Sequence, residues 1–127
     1  MRRTVLVVDD AEDCISTLDL ALGSVEGVTV CGVATAEEAL AILDSKTVSG
    51  VITDIRLPAM TGLELIAHIR EQSRYRALPI LVISADSDPS TPAAALRAGA
   101  DGFFAKPFSP SAVRQKLEEL IHGSSKG

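Results

Sequence analysis

The sequence predicts an α/β domain, a parallel five-stranded sheet with helices on both faces. Short apolar runs alternate with helical patterns five times along 127 residues. Each run is apolar at nearly every position, as in strands covered on both faces, rather than at every second one. Acidic residues stand where several runs end, the edge at which open α/β sheets carry ligands. Right-handed crossovers leave few arrangements for five β–α units. Five strands suit the doubly wound order 2-1-3-4-5 of flavodoxin-like (βα)5 three-layer sandwiches, with two helices on one face and three on the other.

The first run, residues 4–8, stops at Asp9-Asp10. The helical pattern after it holds Cys14, Ile15, Leu18 and Leu22, and Gly23 is its stop. Residues 28–33 form the second strand. Thr35-Ala36-Glu37-Glu38 fits a capping box, and Ala39, Leu40 and Leu43 supply the buried stripe of the second helix. The third strand, residues 50–53, stops at a carboxylate, Asp54, and turn chemistry follows. Thr61-Gly62-Leu63-Glu64 fits a second capping box, before Leu65, Ile66 and Ile69. Residues 79–83 form the fourth strand and lead into Ser84-Ala85. Pro89 and Pro92 fall where the fourth helix should begin. Interior prolines break helices, so this helix is expected to start late, near Thr91 or Pro92, and to be short. Residues 102–105 form the fifth strand, followed by Lys106-Pro107. Ser109-Pro110 reads as N-cap and first helical residue, and Val113, Leu117, Leu120 and Ile121 recur at helical spacing. The expected organisation is one domain over residues 1–122 and a flexible tail over 123–127.

Composition sets limits. Aromatic residues are 3% of the chain and Trp is absent, so the core is built from Val, Ile, Leu and Ala. Stacking platforms for single-stranded nucleic acid are not expected. A net charge of −5 lacks the basic footprint of a DNA-binding chain. Cys14 and Cys31 are widely spaced in apolar contexts, which suits small core residues in a reducing compartment. The N-terminal apolar run is too short for a signal peptide, and no run reaches the roughly 18 apolar residues of a membrane span. The expectation is a soluble, cytoplasmic protein with neither nucleic acid nor membrane as a direct partner.

The strand ends bring chemistry to one edge: Asp9 and Asp10 after the first strand, Asp54 after the third, Ser84-Ala85 after the fourth, Lys106 after the fifth. Each alone has an ordinary explanation. An Asp after a strand is commonly an N-cap, Ser84 a loop hydroxyl, Lys106 a solvated charge. Together they do not, because three clustered acids raise one another's pKa values and destabilise a fold unless a cation sits between them. A hard divalent ion with oxygen ligands meets that need, and Mg²⁺ suits a site with few carboxylates and several waters.

The stretches LVVDD, VITDIRLPAMTGLELI, ILVISA and AGADGFFAKPF resemble the receiver domain of two-component response regulators. The resemblance covers about residues 4 to 122, and the spacing agrees: 44 residues from Asp10 to Asp54, 30 on to Ser84 and 22 on to Lys106. It implies that Asp54 is the phosphoacceptor, taking a phosphoryl group from a histidine kinase, a histidine phosphotransfer protein or a small phosphodonor. It implies Mg²⁺ (or Mn²⁺) held by Asp10, Asp54 and the backbone carbonyl of Arg56, with Asp9 acting mainly through water. Ser84, the Ala85 N–H and Lys106 would bind the phosphoryl oxygens, Phe103 would be the switch aromatic, and Lys106-Pro107 would be a cis peptide. The output surface would be the fourth helix, fifth strand and fifth helix, carrying Leu96, Arg97, Phe103 and Val113 or their neighbours. A downstream protein or a second copy would dock there. The chain would not be an enzyme beyond phosphorylating and dephosphorylating itself. Two departures from the common pattern stand out: Arg56, where many receivers have Asn or a small polar residue, and Thr61, where many have an acid.

Other readings compete. A haloacid-dehalogenase-like phosphatase also uses an Asp nucleophile and Mg²⁺, but needs an Asp-x-Asp pair after the first strand, where this chain has Asp9-Asp10-Ala11-Glu12. A flavin binder needs a Ser/Thr/Gly-rich phosphate cradle in the first loop. A receiver-like module working without phosphorylation would have no use for all five key residues.

Overall fold

The computed structural model describes residues 3–23 and 27–126, with side chains as far as Ile121. Its elements are β1 (Arg3–Val8), α1 (Glu12–Gly23), β2 (Val28–Val33), α2 (Ala36–Ser45), β3 (Gly50–Asp54) and α3 (Gly62–Glu71), then β4 (Ile80–Ser84), α4 (Thr91–Ala98), β5 (Gly102–Ala105) and α5 (Pro110–Lys126). A 3-10 turn at Ser73–Tyr75, absent from the sequence reading, joins α3 to β4. The expected tail at 123–127 falls largely outside the described side chains. The backbone is helical to Lys126, and Gly127 is among the residues not described.

All four pairings are parallel and the strand order is β2-β1-β3-β4-β5. The inner strands β3 and β4 are buried at every position, which is why they read as unbroken apolar runs. Successive side chains point to opposite faces, so the sheet feeds two cores. Leu6, Val8, Val51, Ile80 and Val82 meet α2, α3 and α4 through Ala39, Leu43, Leu65, Ile66, Ile69 and Ala95. Val5, Val7, Ile52, Leu81 and Ile83 meet α1 and α5 through Cys14, Leu18, Leu22, Val113 and Leu117. The expected division of two helices against three holds. Val113 corrects the expected output surface: it is fully buried, because with Leu117 it forms the i, i+4 stripe that α5 turns to the sheet.

Local chemistry places the helices. Thr61 and Glu64 form a complete capping box on α3. On α2 the Thr35 hydroxyl accepts the Glu38 N–H at 3.1 Å, while the Glu38 carboxylate lies 3.1 Å from that hydroxyl. The prolines delay α4 to Thr91, and it lasts 8 residues, as expected from the loss of donors and the fixed φ.

The far end of α4 is anchored by a side chain that no sequence pattern singles out, Arg70. The Arg70 guanidinium donates to the carbonyls of Gly99 at 2.9 Å and Tyr75 at 2.6 Å, and to Asp101 Oδ2 at 3.1 Å. Asp101 Oδ2 also accepts the Ile80 N–H at 2.8 Å, and the Asp101 N–H donates to the Ile80 carbonyl at 2.7 Å. The ends of α3, the 3-10 turn, α4 and the start of β4 are thereby tied to one side chain. Gly99 has φ 121, a conformation open to glycine at little cost.

Candidate functional site

The carboxyl ends of β1, β3 and β4 lie side by side in the sheet. Asp54 ends β3 and pairs in register with Ile83, so its backbone belongs to the ladder and its carboxylate has a fixed origin. Asp9 is fully buried, Asp54 is 7% exposed and Asp10 faces solvent. One carboxylate oxygen from each of Asp9, Asp10 and Asp54 lies within 4.8 Å of the others.

Lys106 reaches into this cluster from beyond β5. Its ammonium donates to Asp9 Oδ2 at 2.8 Å and to Asp54 Oδ2 at 2.9 Å. The remaining oxygens take backbone donors: Asp9 Oδ1 accepts the Ala11 N–H at 2.9 Å, and Asp54 Oδ1 the Arg56 N–H at 3.2 Å. Two buried carboxylates are tolerable here because both are hydrogen-bonded and share a cation. Burial pulls the Lys106 ammonium down, but its bonds to Asp9 and Asp54 outweigh this and hold it above the ordinary lysine value. A raised lysine contributes its full stabilisation below the unfolded value of about 10.4 and loses it only as pH rises through the folded value. Lys106 is therefore cationic throughout the neutral range. The peptide bond Lys106-Pro107 is cis, as expected.

Ser84 is fully buried at the tip of β4. Its carbonyl accepts the Lys106 N–H at 2.8 Å, and its hydroxyl accepts the Asp86 N–H at 3.1 Å. Ala85 follows it, exposed. Phe103 pairs with Val82, two residues before the Ser84–Ala105 pair, and packs half-buried on the core beneath α2, α3 and α4. By the period of two, Ser84 and Phe103 share a sheet face. Arg56, two residues after Asp54, is exposed.

The loop after β3 explains Gly62. A Cβ there would run into the Asp54 carbonyl oxygen and come within 2.9 Å of the Ile55 Cα, backbone atoms that cannot rotate aside. The Gly62 N–H meanwhile bonds the Ile55 carbonyl at 2.8 Å. Close approach, left open by the sequence, is the reason for glycine. Gly62→Ala is expected to cost about 2 kcal/mol by overpacking and to disturb the Asp54 backbone, which urea unfolding and the Asp54 amide resonance would record. Within the same loop Ala59 has φ 65, a strained choice for a residue with a Cβ, in a tight turn closed by the Met60 N–H on the Pro58 carbonyl at 2.8 Å.

Two neighbours escaped the sequence reading. The buried Thr53 hydroxyl donates to the Asp54 carbonyl at 2.9 Å, and nothing distinguishes a Thr in an apolar strand. Cys14, read only as a core residue, packs beside the cluster. Burial, and next the hydrogen bond and charge of Asp9, push its thiol up to about 12, so it stays protonated and unreactive.

The donor set fits a hard divalent ion. It is all carboxylate oxygen, it carries three negative charges against one ammonium, and its ligand atoms converge without filling a coordination sphere, the arrangement that suits Mg²⁺ with its retained waters.

Comparison with known proteins agrees with this geometry. The family model of the response regulator receiver domain matches residues 5–118. A chemotaxis protein CheY homolog of Campylobacter jejuni is 33% identical over 84 residues, 65% of this chain, and the match spans just under two thirds, 65%, of that protein's length. CheY1 of Helicobacter pylori is 31% identical over 118 residues, 92% of this chain and 95% of that one. The high-resolution structure of the chemotaxis response regulator CheY4 of Vibrio cholerae superimposes with a TM-score of 0.84 at 30% identity, covering 94% of this chain and 99% of that one. The chain belongs to the family of receiver domains of two-component response regulators.

Proposed function

We propose that the domain is a phosphorylation-activated switch whose acceptor is Asp54 and whose donor is a phosphohistidine on a sensor histidine kinase or a phosphotransfer protein. The observation that carries this reading is the Asp54 carboxylate itself. It is nearly buried at a rigid strand end, with Lys106 on one oxygen and two further acids within ligand distance. A carboxylate fixed in that way can attack in line. One of its oxygens forms the new O–P bond, and the electron pair of the broken P–N bond leaves on the donor imidazole. Lys106 neutralises charge on the phosphoryl oxygens, which is most of what phosphoryl transfer asks of a protein. Asp9, Asp10, Asp54 and the Arg56 carbonyl would hold Mg²⁺, and a bound Mg²⁺ supplies further positive charge to the phosphoryl group. The Ser84 hydroxyl and Ala85 N–H take the third oxygen. Phe103 shares the sheet face of Ser84 and lies next to α4, whose Leu96 is 52% exposed. The surface of α4, β5 and α5 is thus the output face for a downstream partner or a second copy.

The test is labelling by a small acyl-phosphate donor. Stoichiometric, hydroxylamine-labile uptake that requires Mg²⁺ is expected, and Asp10→Ala should raise the Mg²⁺ needed by about tenfold or more. Uptake in excess chelator, or catalytic turnover of phosphate esters, would overturn the reading.

A further inference from the structure

The sheet has two edges, and they are protected differently. β5 is 4 residues long, opens with Gly102 and runs straight into Lys106 and the cis Pro107. Shortness, charge and proline are common guards of an edge strand. β2, at the other edge, has none of them. It is 6 residues, Val-Thr-Val-Cys-Gly-Val, without charge or proline, and it pairs with β1 residue for residue, without a bulge. The Arg3 N–H donates to the Gly27 carbonyl at 2.7 Å and the Asp9 N–H to the Val33 carbonyl at 3.0 Å. The odd-numbered residues of β2 therefore turn their backbone to β1, and Val28, Val30 and Gly32 turn theirs outward. Among the described residues nothing bonds the outward groups of Val30 and Gly32.

Both helices beside this edge are acidic. α1 and α2 contain Glu12, Asp13, Asp19, Glu37, Glu38 and Asp44, and neither Lys nor Arg. Ile15 of α1 lies low over Gly32, where a Cβ would come within 2.5 Å of it. Glu12 and Asp19, three before and four after Ile15, share its side of the helix. On α2, Asp44 faces Arg74, away from the edge, which leaves Glu38 on the side toward it. Arg3 and Lys46 stand at the end of the sheet where the strands begin, away from Glu12 and Glu38 at the helix starts.

We infer that the free edge of β2 is a docking site for an extended, Lys- or Arg-bearing segment of a partner protein, which adds to the sheet as a further strand. Backbone bonds to Val28, Val30 and Gly32 supply the affinity, and the acids of α1 and α2 supply the preference for cations. A second copy of the chain is the wrong occupant. It would bring the same acids to the same edge, with a net charge of −5 facing its own. The ordinary explanation, an edge bonded to water, accounts for the outward groups. It does not account for one edge being guarded while the longer one, between two acidic helices, is left open.

The test uses the whole domain and two short peptides, one alternating Arg and Val, the other Glu and Val. In about 50 mM salt the Arg peptide should slow amide hydrogen exchange at Val28, Val30 and Gly32 about tenfold or more, and about 200 mM salt should weaken its binding severalfold. The Glu peptide should not protect these amides. Val30→Pro removes an outward donor and leaves the β1 ladder alone, a place where an edge strand admits proline. It should lower affinity for the Arg peptide about tenfold. Asp19→Lys leaves the edge intact and should lower affinity about threefold or more. Unprotected amides at about 1 mM Arg peptide, equal protection by the Glu peptide, or wild-type affinity in a folded Val30→Pro or in Asp19→Lys would overturn the docking site. A dimer that protects the same amides without peptide would overturn the occupant and put a second copy in its place.

Discussion

Asp54→Asn is expected to reduce phosphoryl labelling to background while leaving the fold intact. The amide is isosteric but presents no anionic oxygen, so the nucleophile is gone. The structure permits this change because the cluster is over-supplied with negative charge. Lys106 keeps its 2.8 Å bond to Asp9, and the repulsion between Asp54 and the two neighbouring acids is relieved. An amide oxygen at Oδ1 can still accept the Arg56 N–H that lies at 3.2 Å in the parent. Losing an ion pair and losing like-charge repulsion act in opposite directions, so the change in unfolding free energy should stay within about 1 kcal/mol. Intact-mass measurement after incubation with the phosphodonor, paired with urea unfolding, separates the outcomes. Undiminished labelling would place the acceptor elsewhere. Lost labelling with a collapsed fold would make Asp54 a structural acid whose chemistry is undecided by this variant.

What could be read from the sequence depended on whether the cause was local. Strands β3 and β4 declared themselves because burial on both faces leaves no polar position. Their bounds moved by one residue for identifiable reasons. Pro79 has no N–H to give a ladder, so β4 begins at Ile80, although the Pro79 carbonyl still accepts the Val51 N–H at 2.9 Å. Asp54 joins β3 because its backbone pairs with Ile83 whatever its side chain does. The cluster of Asp9, Asp10, Asp54 and Lys106 was legible because polar residues at the tips of apolar runs converge once the strands are parallel. Arg70 was not legible. In a helical pattern it reads as a solvated charge, and its partners lie 29 and 31 residues away, where no periodicity points. Ala59 gave no sign of its positive φ because the usual signs, Gly or Asn, are absent.

Arg70→Ala should therefore be the most destabilising of the surface-reaching substitutions, at about 3 kcal/mol. Removing the guanidinium leaves the carbonyls of Gly99 and Tyr75 without this donor. Partly buried acceptors that lose their partner cost about 1 kcal/mol or more each. The ion pair with Asp101 contributes less than its 3.1 Å suggests. The Asp101 side chain is 37% exposed and is screened by water, and it retains the Ile80 N–H as a partner. Asp101→Asn should accordingly cost only about 1 kcal/mol, with weak coupling to Arg70→Ala in a double-mutant cycle. Arg70→Lys separates charge from shape. A lysine keeps the charge near Asp101 but cannot fork to two carbonyls and a carboxylate at once, so it should recover less than half of the loss. For a domain of this size about 3 kcal/mol corresponds to roughly 10 °C in Tm, well within the reach of thermal and urea unfolding. If Arg70→Ala costs less than about 0.5 kcal/mol, a margin ordinary for surface positions, the end of α4 is held by packing alone and Gly99 is not its fixed point.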